Sequence, residues 1–257
     1  MHIKKSSKIM ETSIIIRTKN EEKWVGEVLK KLSEQTYKDF EIIVVDSGST
    51  DKTLEIVKNY PVRLFHIKPE EFTYPYALNF GCRQAQAEKY FVFLSAHSVP
   101  ISDTWLEDGI SGFSLDEKIS GVYGNVRALP DASIWEKLYF NSFWDSTFNF
   151  FKRRNIVKKG GMGVLGFTNA IIRRDLWEKY NLNEDYGMGG EDGEWCGYWM
   201  DKGYMAPPDR RFSVFHSHGL GLKGLLEQQK HWISLSNPQP YKPLEYRNNR
   251  EKGAKKT

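Results

Sequence analysis

The sequence is poor in cysteine and contains no long apolar run. Its two cysteines, Cys82 and Cys196, lie far apart without metal-binding spacing, which favours a reducing compartment and argues against a disulfide-stabilised secreted domain. No stretch approaches the roughly 20 apolar residues that a membrane-spanning helix requires. We therefore expect a cytoplasmic location, with any membrane contact peripheral and at the inner face.

The sequence also lacks a large excess of either positive or negative charge. The formal net charge is only +4, which is too small to predict a nucleic-acid partner. Hydrophobic residues make up 40% of the 257 residues and charged residues 27%, the balance of a globular protein with a substantial core. We predict no nucleic-acid partner, an N-terminal tail over residues 1–12 and a basic tail over residues 237–257.

Two common phosphate-binding motifs are missing. Polar corners at residues 18–21 and 46–51 follow apolar runs, but neither reads G-x-G-x-x-G. Neither has the glycine-rich run with Lys-Ser/Thr that defines a P-loop. These absences argue against dinucleotide-dependent oxidoreductases and P-loop phosphotransferases.

What is present is an alternation of short strands and helices. Strand, helix, strand order predicts an α/β fold whose mostly parallel sheet has right-handed crossovers. The run at 90–94 is apolar without alternation, which predicts a strand covered on both faces. The first-half strands are predicted at 13–17, 40–45, 62–67 and 90–94, and the helices at 24–32, 52–60 and 76–85.

Three of these strands end in small polar corners, at residues 18–21, 46–51 and 95–98. Ligands of open α/β sheets bind beyond the carboxyl ends of the strands. An acidic residue there can accept from a base N–H or a ribose hydroxyl, and small residues let backbone amides approach phosphate. The corners therefore predict a nucleotide pocket.

The second half carries an acidic loop and a histidine pair. Glu191 and Asp192 lie on a glycine-rich, flexible loop ahead of a predicted helix at 195–203, where they either do chemistry or stabilise the helix N-terminus. His216 and His218 are two apart on a predicted strand over 212–219, which points them to one side. Further strands are predicted at 121–128 and 167–172.

Five motifs in this order resemble the family-2 glycosyltransferases. They are S-I-I-I-R-T-K-N-E-E (13–22), E-I-I-V-V-D-S-G-S-T-D-K-T (41–53), A-L-N-F-G-C-R-Q-A (77–85), F-V-F-L-S-A-H-S (91–98) and G-G-E-D-G-E-W (189–195). The resemblance implies a GT-A-type glycosyltransferase domain over 13–236, with a nucleotide-binding half (13–100) and an acceptor and catalytic half (101–236). It also implies inverting transfer from a UDP- or dTDP-sugar to a hydroxyl of a glycan or lipid-linked acceptor, in bacterial surface polysaccharide synthesis.

The resemblance also assigns site residues. Asp46 would bind the base, Asn79 and Arg83 would lie near the diphosphate or base, and Asp192 would be the catalytic base, with Glu191 in reserve. Inverting transfer independently requires a carboxylate that takes the acceptor proton, and positive charge on the leaving diphosphate. The nucleotide-binding candidates are Arg17, Thr18, Asn20, Glu21, Asp46, Ser47, Gly48, Asn79, Arg83, Ser95, Ala96 and His97.

The sequence departs from the family where Ser95-Ala96-His97 replaces the usual Asp-x-Asp. A neutral imidazole binds transition metals, so we predict that His97 and His218 hold a divalent cation. Manganese is favoured, with magnesium, cobalt or zinc as alternatives. The other interpretation is that His97 only hydrogen-bonds the diphosphate and that no metal is needed.

An aromatic segment at 134–151, followed by basic residues, also has several interpretations. It either closes the core as an amphipathic helix or forms a sugar-stacking acceptor platform. Alternatively, residues 134–159 contact a membrane or a lipid-linked acceptor. The acceptor-side candidates are Trp144, Asn169 and Trp195.

Two competing functions remain open from the sequence. A degenerate protein that lost catalysis with its Asp-x-Asp would bind sugar nucleotides without turning them over. A sugar-phosphate nucleotidyltransferase would need a glycine-rich loop with Arg and Lys after the first strand, and residues 17–20 contain no glycine.

Overall fold

The computed structural model describes residues 10–140 and 164–235. Residues 141–163, which include Trp144 and most of the predicted membrane-contacting segment, lie outside the described residues. So do residues 1–9 and the predicted basic tail.

Eight strands and eight α-helices are present in the described residues. The strands are β1 Thr12–Thr18, β2 Phe40–Asp46, β3 Arg63–His66, β4 Tyr90–Ser95, β5 Val99–Pro100, β6 Gly121–Arg127, β7 Asn169–Arg173 and β8 Pro208–Phe215. The helices are α1 Val25–Ser33, α2 Thr53–Val57, α3 Tyr74–Gln84, α4 Trp105–Ser111, α5 Ile134–Phe140, α6 Arg174–Lys179, α7 Glu191–Asp201 and α8 Leu222–Leu235. Short 3₁₀ turns lie at Pro69–Glu71, Gly112–Leu115 and Glu184–Tyr186.

All eight strands belong to one sheet, in the order β3-β2-β1-β4-β7-β6-β8-β5. Strands β1 to β4 pair in parallel, and so do β6 and β8. Strand β7 is antiparallel to both of its neighbours, and β5 is antiparallel to β8. The predicted α/β fold with a mostly parallel central sheet is therefore confirmed.

The central strands are apolar throughout because the sheet has a hydrophobic cluster on each face. Ile15 and Phe93 pack into one cluster, against helices α3, α6 and α7. Ile14 and Leu94 pack into the other, against α1, α2 and α4. Successive residues of a strand point to opposite faces, so a strand covered on both sides cannot alternate in polarity.

Helix α1 shows how spacing in the sequence becomes burial. Val25, Val28, Leu29 and Leu32 recur at helical intervals and are fully buried. Each such side chain contributes about 1.5–3 kcal/mol relative to exposure. The predicted helix over 24–32 is confirmed to within one residue at each end.

Two boundaries near the site differ from the prediction. Helix α7 begins at Glu191 rather than 195, because Gly190 adopts a left-handed conformation (φ 94°) and ends the loop there. Glu191 and Asp192 therefore lie in the first turn of a helix, and not on a flexible loop. Strand β8 ends at Phe215, so His216 and His218 follow the strand instead of lying on it.

The strand directions gather the polar corners at one edge of the sheet. Thr18 is paired with Asp46, and Arg17 with Ser95, in parallel register. Two antiparallel pairings through β7 give β6 and β8 the direction of β4. The carboxyl ends of β1, β2, β4 and β8 therefore lie on the same side of the molecule.

Candidate active site

Hydrogen bonds join the polar corners after β1 and β2 into one unit. Asn20 is the central link, because its N–H donates to Ser49 Oγ (2.9 Å) while its Oδ1 accepts from Thr50 N–H (2.8 Å). Asn20 has a positive φ of 56°, which asparagine tolerates better than most residues. Ser47 N–H donates to the Thr18 carbonyl (3.1 Å). The corners after β1 and β2 thus form one polar floor.

Asp46 organises this floor. Its Oδ2 accepts from the N–H groups of Gly48 (2.9 Å) and Ser49 (3.1 Å), and its side chain is almost completely buried. Gly48 has φ 92°, and a Cβ there would lie 2.7 Å from Pro69 Cγ. The corner therefore requires glycine. Base binding by Asp46 stays a prediction, and the exposed His66, with Nδ1 3.5 Å from Asp46 Oδ2, lies beside it.

His97 follows β4 in a tight turn. Ala96 packs into the core, and Ser98 N–H donates to the Ser95 carbonyl (2.9 Å). Glu21 Oε1 accepts a hydrogen bond from His97 Nδ1 (2.9 Å). His97 Nε2 is buried without a hydrogen-bond partner. Glu21 therefore fixes the imidazole ring through Nδ1, while Nε2 is available to bind a ligand.

His97 belongs to a cluster of three histidines. Val99 of β5 pairs with Phe215 of β8, which brings His97 against His216 with ring centroids 4.4 Å apart. His216 Nε2 lies 3.2 Å from His218 Nε2. One ring nitrogen from each of the three lies within 4.8 Å of the others.

The cluster is anchored from two sides. His216 Nδ1 lies 3.0 Å from Ser98 Oγ, and the backbone N–H of His218 donates to Glu136 Oε1 (2.8 Å). Burial is the main cause that lowers the pKa of His216 well below its ordinary value, with smaller contributions from His97 and His218. The pKa of His218 is also lowered, mainly by burial. The neutral forms of the His216 and His218 rings are thereby favoured.

The acid pair at the start of α7 lies against β1. Arg17 Nη1 is 4.0 Å from Glu191 Oε1, and the Arg17 guanidinium packs over the Tyr74 ring at 4.4 Å. Burial, reinforced by the charge of Asp192, raises the pKa of Glu191 to about 7. Burial also raises the pKa of Asp192, although Gly193 N–H donates to its Oδ1 (2.7 Å). A carboxylate with a raised pKa is a stronger base.

Asn79 and Arg83 of α3 contact the segment that follows α6. The Asn79 side chain donates to the Leu182 carbonyl and to Glu184 Oε1, both at 2.9 Å, and accepts from Trp177 Nε1 at 3.0 Å. Arg83 lies 3.8 Å from Glu184. These contacts hold the segment that follows α6 against α3. The nucleotide roles of Asn79 and Arg83 stay predictions.

Two acceptor-side candidates are buried. Asn169, at the start of β7, donates to the Phe212 carbonyl (2.7 Å), and its Oδ1 is buried without a hydrogen-bond partner. Trp195 is fully buried and donates to the Tyr180 carbonyl (2.6 Å). Trp195 therefore packs into the core and offers no surface to an acceptor in this structure.

Several residues at the site are absent from the sequence-based set. Tyr74 and His66 have no distinctive local pattern, since their contacts with Arg17 and Asp46 depend on the packing of the fold. Ser98 lies in the predicted corner 95–98, but its contact with His216 has no local signal. Glu136 did have a signal, because Ser133-x-x-Glu136 has the spacing of a capping box, and both reciprocal hydrogen bonds are present.

A mostly parallel sheet with a polar floor, an acid pair and a histidine cluster at its carboxyl edge has the architecture of an α/β protein of GT-A type. The sequence profile of Glycosyl transferase family 2 matches residues 13–180. The chain belongs to this family, as its motifs predict.

Its relatives in sequence are bacterial and archaeal glycosyltransferases. The O-antigen chain rhamnosyltransferase WbaN of Salmonella anatum is 26% identical over 187 residues, covering 72% of this chain and 59% of that protein. Glycosyltransferase AglE of Haloferax volcanii is 28% identical over 199 residues, covering 75% of this chain and 62% of that protein. The chain thus spans about three fifths of each of these relatives.

Solved structures share the fold at low sequence identity. A Pyrobaculum calidifontis mannosyltransferase in complex with GDP-Man and Mn²⁺ aligns with a TM-score of 0.60 at 19% identity, covering 85% of this chain and 59% of that chain. A Mycobacterium tuberculosis glucosyl-3-phosphoglycerate synthase with Mn²⁺, UDP and phosphoglyceric acid aligns with a TM-score of 0.61 at 16% identity, covering 88% and 77%. The GT-A fold is confirmed by these alignments.

The search for membrane spans gave a negative result. Among the helices of residues 10–140 and 164–235, none combines the length and the apolarity needed to cross a bilayer.

Proposed function

We propose that this chain is an inverting glycosyltransferase that moves a sugar from a UDP- or dTDP-linked donor to a hydroxyl of a glycan or lipid-linked acceptor, in surface polysaccharide synthesis. One observation carries the proposal. The polar floor, Asp192 and His97 lie at one edge of the sheet, with Glu21 hydrogen-bonded to His97 (2.9 Å) and Arg17 4.0 Å from Glu191. The glycosyltransferase names of the relatives support it.

The residues of the site suit the steps of such a transfer. The nucleotide lies on the floor formed by the corners after β1 and β2, where backbone amides and small side chains approach it closely. Asp192 takes the proton of the acceptor hydroxyl as that oxygen attacks the anomeric carbon. Arg17 lies beside the acid pair, so its charge favours the ionised form of both carboxylates.

The histidine cluster suits a divalent cation. His97 Nε2 is buried without a partner, and imidazole nitrogen is a common ligand of transition metals. We propose that His97 and His218 hold this ion, with manganese, cobalt and zinc as the candidates that suit imidazole. Two of the structural neighbours contain Mn²⁺. Such an ion supplies positive charge to the departing diphosphate.

Peripheral contact with a membrane is proposed for residues 134–159. The described part of this segment, α5, exposes Ile134, Trp135, Leu138 and Tyr139. Leu222 and Leu226 of α8, which packs against α5, are also exposed. An apolar surface of this kind fits the boundary between headgroups and acyl chains, where a lipid-linked acceptor would be found.

The base assignment is tested with Asp192→Asn. We expect sugar transfer to fall by about 10²–10⁴-fold, because the amide cannot accept the acceptor proton. Donor binding should change little, since Asp192 acts on the acceptor side. Transfer is measured with a panel of nucleotide sugars and binding by calorimetry with UDP and dTDP, with Asp201→Asn at the other end of α7 as the matched control. Full transfer activity in Asp192→Asn would remove this residue from the proposed role.

The same panel separates the proposal from a protein that only binds sugar nucleotides. Wild-type protein should hydrolyse or transfer at least one donor, and should do so faster with added Mn²⁺. Binding of donors without any turnover, in wild type and Asp192→Asn alike, would instead support the inactive alternative.

A further inference from the structure

We propose that His216 joins His97 and His218 as a third ligand, and that the resulting three-imidazole centre prefers zinc or cobalt to manganese and excludes magnesium. The proposal deepens the metal site named above and rests on the proposed function only for the use of the ion. Metal binding itself is independent of any transfer reaction.

The contacts of His97 and His216 have the pattern expected of metal ligands. In metal sites, the second ring nitrogen of a ligating histidine usually donates to a carboxylate, carbonyl or other acceptor, which fixes the tautomer and the ring orientation. His97 Nδ1 lies 2.9 Å from Glu21 Oε1, and His216 Nδ1 lies 3.0 Å from Ser98 Oγ. His216 Nε2 faces His218 Nε2, and Nε2 is the ring nitrogen of His97 that has no hydrogen-bond partner.

The spacing of the nitrogen atoms fits a single ion. Zinc to nitrogen distances of about 2.0–2.1 Å in a tetrahedral site place neighbouring ligand atoms about 3.4 Å apart. His216 Nε2 and His218 Nε2 are 3.2 Å apart, and His97 supplies a nitrogen within 4.8 Å of both. His97 Nε2 is also buried without a hydrogen-bond partner, so a ligand would satisfy it.

The chemistry of the donors selects the metal. Magnesium and calcium prefer oxygen ligands, whereas imidazole suits zinc, cobalt and related ions. Affinity for nitrogen sites rises from manganese to cobalt along the first transition series, and zinc also exceeds manganese. Replacement of the two expected carboxylates by Ser95 and His97 therefore changes which ion the site holds. Three protein ligands leave one tetrahedral position for a diphosphate oxygen.

The test uses the purified protein, treated with chelator and titrated with Co²⁺ alone, without donor or acceptor. Co²⁺ should bind in a 1:1 ratio and produce the visible absorption of a four- or five-coordinate ion. Zn²⁺ should displace it, while Mn²⁺ should compete at least about tenfold more weakly. Mg²⁺ should not compete.

Variants identify the ligands. His97→Ala, His216→Ala and His218→Ala should each abolish the Co²⁺ absorption, and Glu21→Gln should weaken Co²⁺ binding about 10–100-fold. His231→Ala, on exposed α8, is the matched control and should bind as wild type. Because His216 is buried, His216→Gln is measured in parallel and the folded state of each variant is checked by circular dichroism.

Two results would overturn the inference. One is unchanged Co²⁺ absorption in folded His216→Ala and His216→Gln, which would leave only two histidine ligands. The other is binding of Mg²⁺ or Mn²⁺ as tight as that of Zn²⁺. A protein that binds Zn²⁺ in this way yet transfers no sugar would contradict the proposed function while leaving the metal centre intact.

Discussion

Arg17 connects the first strand to the start of helix α7. Its guanidinium packs over Tyr74 and lies 4.0 Å from Glu191, which begins helix α7. Glu191 is buried, and its charge is offset by Arg17 but opposed by Asp192. Ionisation of Glu191 is therefore unfavourable in the folded protein, at the position where the proposed chemistry occurs. Perturbed pKa values of this kind are common at functional sites.

Glu191→Gln should change how stability depends on pH. The pKa of Glu191 is raised from 4.5 to about 7, so the native state binds a proton more tightly than the unfolded state between these values. The stability that this proton confers is complete below pH 4.5 and is lost as the pH rises through 7, a total of about 3 kcal/mol. Glu191→Gln lacks this loss. Its free energy of unfolding, relative to wild type, should rise by about that amount between pH 4.5 and pH 8.

Denaturant unfolding at several pH values measures the effect. Glu227→Gln, on the exposed face of α8, is the control and should follow the wild-type curve. If the free energy of unfolding of Glu191→Gln and of wild type varied with pH in the same way, Glu191 would have an ordinary pKa in the folded protein.

Individual site residues differ in how far the sequence predicts them. The order of the motifs predicts Asp46, Glu21 and Asp192 because each lies within a recognisable local pattern. The ion pair of Arg17 with Glu191 and the contact of Ser98 with His216 join residues more than 100 positions apart. Such contacts depend on the register of the sheet, which no local pattern specifies.

At the level of the elements, β6 and β8 are in close contact at Gly124. A Cβ on Gly124 would lie 1.3 Å from the Phe212 carbonyl oxygen and 2.3 Å from Asn169 Nδ2. The register of the two strands shifts at this position. Glycine is required here because the backbone of β8 and the Asn169 amide occupy the space of a side chain.

Gly124→Ala should therefore destabilise the protein by about 3 kcal/mol, since the strands must separate or Asn169 must lose its bond to Phe212. The thermal midpoint measures the loss. Gly221→Ala is the matched control, because a Cβ there meets nothing within 4 Å. Equal midpoints for both variants would mean that β6 and β8 accommodate the methyl group easily.

The elements themselves are largely predictable, but their ends are less so. Apolar spacing specifies α1, which buries one face, and the continuous apolar run specifies β4, which is buried on both faces. The start of α7 depends on the backbone conformation of Gly190, and the end of β8 coincides with its pairing to the two-residue strand β5. The start of α7 and the end of β8 depend on tertiary contacts. These two boundaries decide whether Asp192 and His216 lie in a loop, a helix or a strand.

For the whole molecule, the apolar surface of α5 and α8 stands out. Ile134 and Leu138 are 63% and 58% exposed, and Leu226 is 54% exposed. Backbone and side-chain contacts tie this surface to the site, since Glu136 of α5 accepts from His218 N–H. A lipid-linked acceptor docked there would lie on the same side of the molecule as the histidine cluster.

The double variant Trp135→Glu/Leu138→Glu should reduce binding to vesicles that contain anionic lipid by at least several-fold. The reason is that two negative charges replace exposed apolar side chains that would enter the bilayer interface. Co-sedimentation measures the bound fraction. Leu115→Glu is the control, since Leu115 is equally exposed but lies between α4 and β6. If the double variant bound vesicles as well as the control does, the surface of α5 and α8 would not be the membrane contact.

The short pairing of β5 with β8 also has a consequence for biosynthesis. Ser98 and His216 meet across 118 positions of chain. On the ribosome, the corners after β1 and β2 are complete long before β8 emerges, and contacts of such long range form late because closing the loop is entropically unfavourable. A partly synthesised chain can thus assemble its polar floor while its three imidazoles are still apart. Capture of the ion would then have to wait until the segment that carries His216 and His218 has been synthesised.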